Sequence, residues 1–245
     1  MFAVYRRELN NFFHTINGYL FLALMLFTTG ICVTGYNFMK GYTRPEISIS
    51  DMSLAFAVLI PLLTIPLMAG ERKRGTDALL AMLPIKPSDV VLGKFFALFS
   101  FSLIPTVVYF AYALLVGGYT SVNYGSFFSC LICYIFYCAA MCAVGTFISA
   151  VSKNYVVAGI VTYGSFVVLY LLGIIGTALT NVIAKENDNA GDGAAAFIND
   201  ILPFSRLSAQ LGGVFDPTAI VYFLIIACLF VFLTVRSAVI ASAKR

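Results

Sequence analysis

The chain has 245 residues, 61% of them hydrophobic and only 11% charged, with a mean hydropathy of +0.95. An ordinary soluble domain carries about 25% charged residues, so this composition excludes a water-soluble globular fold. The formal charge of +4 comes from Lys and Arg divided among short loops. There is no basic stripe of the kind nucleic acid needs, and no nucleic-acid partner is expected.

Residues 1–16 come first. Phe2, Tyr5, Leu9, Phe12, Phe13 and Ile16 fall on one helical stripe, with Arg6, Arg7, Glu8, Asn10, Asn11 and His14 around the rest. The spacing predicts an N-terminal amphipathic interfacial helix. Two roles stay open for it: a membrane-surface anchor for the first span, or that anchor together with a contact surface for a cytoplasmic partner. The first apolar run begins only near Tyr19 and is too long for a signal core, so the N-terminus is expected to be retained.

Apolar runs then occur near 18–38, 53–69, 90–117, 127–150, 156–177 and 218–240. About 20 apolar residues cross a bilayer as a helix, so the fold class is all-α: a polytopic membrane protein of six transmembrane helices in a single transmembrane domain, 1–245. Pro61 and Pro66 in the second run and Pro105 in the third remove backbone donors and predict kinks. Four cysteines, Cys130, Cys133, Cys138 and Cys142, cluster in the fourth run, with Cys32 and Cys228 in the first and last. Thiols inside apolar runs act as small hydrophobes, and no metal site is expected.

Loop charge fixes an orientation. With the N-terminus inside, Arg6, Arg7, Arg72, Lys73, Arg74, Lys86, Lys94, Lys153, Arg236, Lys244 and Arg245 face the cytoplasm, and Lys40, Arg44, Lys185 and Arg206 do not. The positive-inside rule then predicts that both termini are cytoplasmic. The outer loop at 178–217 carries Glu186, Asp188, Asp192, Asp200 and Asp216. Phe197, Ile198, Ile201 and Leu202, then Phe204, Leu207 and Leu211, predict two short helices there, either a cap on the bundle or part of an exit gate. Lys94 and Arg236 lie near inner span ends and are expected to snorkel to the interface.

The inner loop at 70–89 concentrates charge: Glu71, Arg72, Lys73, Arg74, Gly75, Thr76 and Asp77, then Leu79, Leu80, Leu83 and Pro84. Gly75 is placed to end the preceding helix, Thr76 to cap a new one, Asp77 to complement its N-terminus and Pro84 to end it after about two turns. Such a loop can be a simple topogenic cluster with an interfacial helix.

The run from Glu71 to Thr76, an apolar helix, Pro84, and then Val91-Leu92-Gly93-Lys94-Phe95 together resemble the ABC type-2 transporter permeases. Over roughly residues 1–170 the chain is similar to their gliding-motility-associated branch, with Tyr5-Arg6-Arg7-Glu8-Leu9 and Phe12-Phe13 fitting as well. The resemblance implies that 77–83 is a short cytoplasmic coupling helix, with Glu71 to Pro84 docking on a separate ABC ATPase subunit. It implies that the 2–16 helix lies near that ATPase, and that two permease protomers pair as a homodimer or heterodimer. It also implies export across a bacterial plasma membrane.

No cofactor is expected in this chain, and ATP and Mg are expected in the partner ATPase. Gly93-Lys94 is no P-loop, since Phe95 replaces the Ser or Thr and Ser88 the first glycine. Mid-membrane ionisable residues that would mark a secondary transporter or an intramembrane hydrolase are absent from the runs. A non-transporting scaffold, or a force-transmitting subunit with an extracytoplasmic accessory protein, is the alternative. Tyr109, Phe110, Tyr163 and Phe166 are candidate pathway aromatics, suited to an apolar or amphipathic cargo.

Overall fold

The computed structural model describes residues 1–39, 47–75, 86–118, 123–152, 154–186, 203, 207 and 217–243, and every regular element among them is helical. Helix α1 (Phe2–His14) turns at an extended Thr15 into α2 (Ile16–Val33), which ends in a π-helical turn, Thr34–Met39. Then come α3 (Ile47–Leu59), α4 (Pro61–Arg74), α5 (Pro87–Ser102), α6 (Ile104–Gly117), α7 (Tyr124–Val151), α8 (Tyr155–Glu186) and α9 (Pro217–Ala243). Among the described residues, six stretches are long and apolar enough to cross a membrane: Ile16–Asn37, Ile47–Arg72, Pro87–Leu115, Tyr124–Val151, Tyr155–Ile175 and Pro217–Ile240. The protein is an all-α, multi-pass membrane protein.

The second span reaches well below residue 53, because α3 already begins at Ile47 and buries Ser48, Ile49 and Met52. Of the two short helices expected within the 178–217 loop only residues 203 and 207 are described, and the coupling helix at 77–83 lies outside the described residues.

Prolines divide the second and third spans. The first interruption falls at Ile60, immediately before Pro61, and the second at Leu103, two residues before Pro105; both residues keep helical backbone angles, so each is a weakened turn rather than a gap. Pro66 instead stays inside α4. Its missing N–H frees the Leu62 carbonyl, and Asn17 Nδ2 of α2 donates to that oxygen at 3.5 Å. One turn on, Ser149 Oγ of α7 donates to Ile65 O at 3.2 Å and accepts from Met68 N and Ala69 N at 3.3 and 3.2 Å. Side chains of two neighbouring spans thus complete a backbone that lipid cannot solvate.

Lipid is as apolar as leucine, so the spans associate through close packing rather than through hydrophobic burial. Helix α7 is the axis. It meets α3, α4, α5, α8 and α9, and its inward side is built from Cys130, Cys133, Tyr134, Tyr137, Cys138, Cys142, Gly145 and Ser149. By contrast only 17% of the last span's window is inside, against 67% for the second, so α9 presents Val221, Leu224, Ile225, Leu229 and Phe232 outward.

Gly145 lets α7 lie close against α4. A Cβ added there would stand 2.6 Å from Thr64 Cγ2. Gly145→Ala is therefore expected to cost about 1–3 kcal/mol by overpacking. It should lower the thermal unfolding midpoint in detergent, and adding Thr64→Ala should recover most of the loss. An unchanged midpoint for Gly145→Ala would show that α4 and α7 separate freely.

Candidate functional site

The end of the bundle that holds α1, Gly75 and Lys86, here the basal end, gathers most of the charge placed by the described residues. Helix α4 stops at Gly75, whose φ of +71° and ψ of 5° make the left-handed cap that glycine adopts without a Cβ penalty. Its N–H donates to Arg72 O at 3.2 Å. Just before this stop, Arg72 Nη1 donates to Ser152 O at 2.9 Å and ties α4 to the C-cap of α7. Glu71, one residue earlier, points to the other side.

Glu71 is the hub. Its Oε2 pairs with Lys94 Nζ of α5, and its Oε1 accepts from Arg7 Nη2 of α1 at 3.3 Å. Lys94 also donates to Leu67 O at 2.7 Å, and Arg7 pairs with Glu8 at 2.5 Å. The Lys94 side chain is 1% exposed, Glu71 21% and Arg7 50%. The cluster therefore grades from dry to wet, and its inner pair is the one that solvent cannot replace.

The expected snorkelling of Lys94 is corrected by this geometry. Seven residues inside α5, Lys94 finds a carboxylate and a carbonyl on α4 nearer than water, so it turns inward. Arg236 keeps an exposed position, stacked 5.7 Å over the Phe232 ring. The other residues around Lys94 also acquire physical roles. A Cβ at Gly93 would meet Met1 O and Val4 at 3.1 Å, so glycine lets α1 lie directly on α5. Phe95 is buried beside it.

Helix α1 is bound to α5 along its length. Val4, Glu8 and Phe12 are its buried residues, Tyr5 and Leu9 pack beside them, Tyr5 Oη donates to Ser100 Oγ at 3.2 Å, and Phe12 and Phe13 both contact the Phe101 ring. The predicted stripe is rotated: Phe2 and Ile16 are 75% and 80% exposed, and the inward positions include Val4 and the carboxylate Glu8. Arg6 is exposed.

Of the residues assigned to docking, Glu71 and Arg72 are thus engaged within the bundle. Lys73 and Arg74 form the last turn of α4 and Gly75 its cap. Thr76, Asp77, Leu79, Leu80, Leu83 and Pro84 lie outside the described residues. Sequence reasoning missed Val4, Asn17 and the pairing of Lys94. A lysine inside an apolar run with a glutamate at the end of the preceding run was the available signal.

The aromatic pathway residues separate. Tyr109 and Phe110 pack on Phe127 inside the bundle. Tyr163 and Phe166 instead line an apolar cavity of about 150 Å³ between α3 and α8, with Leu54, Ala57, Val58 and Tyr170.

Removing either member of the inner pair should be unequally costly. Breaking a buried ion pair costs about 3–5 kcal/mol when the survivor stays dry. Glu71→Leu strands the dry Lys94 and should approach that range, whereas Lys94→Met leaves a partly wet Glu71 beside Arg7 and should cost about 1–3 kcal/mol. Thermal unfolding of both variants in one detergent checks the order, which a surface-type pair would not show.

Comparison with curated proteins returns no match. The family model for the ABC-2 family transporter protein matches residues 11–235, which takes in the first five spans and most of the sixth, the stretch between α4 and α5, and the cluster's Glu71 and Lys94. With its helical membrane bundle, this match over most of the chain makes the protein a member of the ABC-2 transporter family, a membrane-embedded permease component.

Proposed function

We propose that the chain is the transmembrane subunit of an ABC exporter, and that ATP is hydrolysed by a separate ATPase subunit seated on the loop between α4 and α5. What carries the reading is the anchoring of that loop. It leaves α4 at a glycine cap and enters α5 at Pro87, while Glu71 and Lys94 hold the two helices together only a turn or two away. A push on a loop with fixed ends moves two spans; a push on a slack loop is absorbed.

In this reading the basal end faces the cytoplasm of a bacterial cell, both termini lie there, and ATP with Mg²⁺ binds the partner. The excess of Lys and Arg on that side supports the orientation. A second permease protomer completes the pathway, and the apolar, aromatic cavity between α3 and α8 favours an apolar or amphipathic cargo. The gliding-type pattern from Glu71 to Phe95 supports that branch of the family and keeps an extracytoplasmic accessory protein in view.

Replacing residues 76–84 with a Gly-Ser linker of equal length tests the docking. Affinity purification of the wild-type chain in mild detergent should bring down a P-loop ATPase, and the linker variant should lose at least nine-tenths of it while retaining its fold by thermal unfolding. Undiminished capture by the linker variant, or capture of no ATPase by the wild type, would sink the reading.

A further inference from the structure

Helices α1 and α5 run in the same direction. Val4 sits against Gly93 and Phe12 against the Phe101 ring, eight residues further along both helices. Phe13 is therefore farther from the basal end than Arg6, by seven residues or about 10 Å at 1.5 Å per residue. On the outer side of α1 is an open groove of about 660 Å³, lined by Phe2, Arg6, Arg7, Leu9, Asn10 and Phe13. Among the described residues no carboxylate lines it.

The polar groups in the groove are not equivalent. Arg7 is already shared between Glu8 and Glu71. Arg6 and Asn10, one turn apart on the same face, are exposed, and their side chains have no hydrogen-bond or ion-pair partner among the described residues. A guanidinium with an amide donor one turn away matches the oxygens of a phosphate.

Beyond the groove the apolar surface continues. Phe13 leads to Ile16, and Ile16, Leu20, Leu24 and Phe27 fall on one side of α2, all of them exposed. They belong to the first span, of which only 28% of the window is inside the bundle. The headgroup layer of a bilayer is about 5–8 Å thick on each side. With Phe13 at the edge of the hydrocarbon, Asn10 and Arg6 therefore stand about 5 and 10 Å above it, at the depth of the phosphates.

We infer that this face of α1 binds one anionic phospholipid of the leaflet at the basal end, its phosphate held by Arg6 and Asn10 and one acyl chain laid along Ile16, Leu20 and Leu24. A membrane-surface anchor needs only apolar area, which any lipid satisfies. Unpaired donors above a continuous apolar track select a headgroup as well as a chain. The inference rests on the membrane bundle alone, and the proposed ATPase docking can fail without touching it.

Native mass spectrometry of the full chain in mild detergent, given equal amounts of phosphatidylglycerol and phosphatidylcholine, reads the site. The wild type should retain the anionic lipid about fivefold or more over the zwitterionic one, and Arg6→Gln should abolish that preference. Lys86→Gln removes an exposed cation of the same end outside the groove and should leave the preference intact. Ile16→Ser should lower retention of both lipids without changing their ratio. No preference in the wild type, equal loss in Lys86→Gln, or a preference that survives Arg6→Gln would overturn the site; if Arg6→Gln keeps its lipid but loses captured ATPase, the face belongs to the ATPase instead. Displacement of phosphatidylglycerol by inorganic phosphate would make the ligand a free anion and overturn the lipid assignment.

A second measurement needs no variant. Phosphatidylglycerol with a photoreactive acyl chain should label 13–27 of the wild-type chain most strongly. Labelling led by 217–240, the span least enclosed by the bundle, would overturn the inference.

Discussion

A cation held away from water inside a membrane span fixes more of this structure than any other single contact. Lys94 lies in an α5 whose neighbours are otherwise apolar, and it is accommodated because Glu71 and Leu67 O are presented to it from α4. The pair dictates the rotation of both helices about their axes, since turning either by one residue would leave two charges unmatched in a medium that penalises each severely. It also dictates their relative depth. Once α4 and α5 are in register, Gly93 faces outward from the pair and receives α1, which places Arg7 within reach of the same carboxylate.

The same economy governs the backbone. Pro61 and Pro66 lie five residues apart in a span that must satisfy every carbonyl internally. The chain answers differently at each. At Pro61 the backbone keeps its helical angles through Ile60 and simply goes without one ladder bond, whereas at Pro66 Asn17 and Ser149 lend polar atoms from α2 and α7. A serine beside a small-residue seam is an ordinary packing residue in a membrane bundle. Here its hydroxyl also bridges the Ile65 carbonyl and the Ala69 amide, the two groups that an unbroken helical turn would join.

Features controlled by local chemistry were legible in the sequence. Six spans follow from hydropathy over some 20 residues, the stop at Gly75 from the positive φ that glycine tolerates, and the breaks near Pro61 and Pro105 from missing donors. Features that depend on which way a helix faces were not. The stripe through Phe2, Tyr5 and Phe12 assumed two environments, but α1 meets three, with protein on one side and lipid and water on the others. Protein takes Val4 and Glu8, leaving Phe2 exposed. Lys94 was misread for the same reason: snorkelling is the default for a lone lysine near a span end, and its partner lies 23 residues away across a loop. Tyr109 and Tyr163 have similar local sequence character, yet one is packed on Phe127 and the other borders a cavity, a difference only tertiary packing decides.

A loop can transmit force only if its ends are stiffer than the elements it is meant to move. For the stretch after Gly75, stiffness at the near end comes from a capped helix whose Arg72 is tied to α7 and whose Glu71 is tied to α5. At the far end it comes from a proline-initiated helix that carries Lys94 in its third turn. The weaker turns lie elsewhere, at Ile60 and Leu103, where Pro61 and Pro105 each withhold a ladder donor. The ion pair and the prolines are complementary halves of one arrangement, the first tying α4 to α5 at the basal end and the second withholding a ladder bond higher in the same two spans.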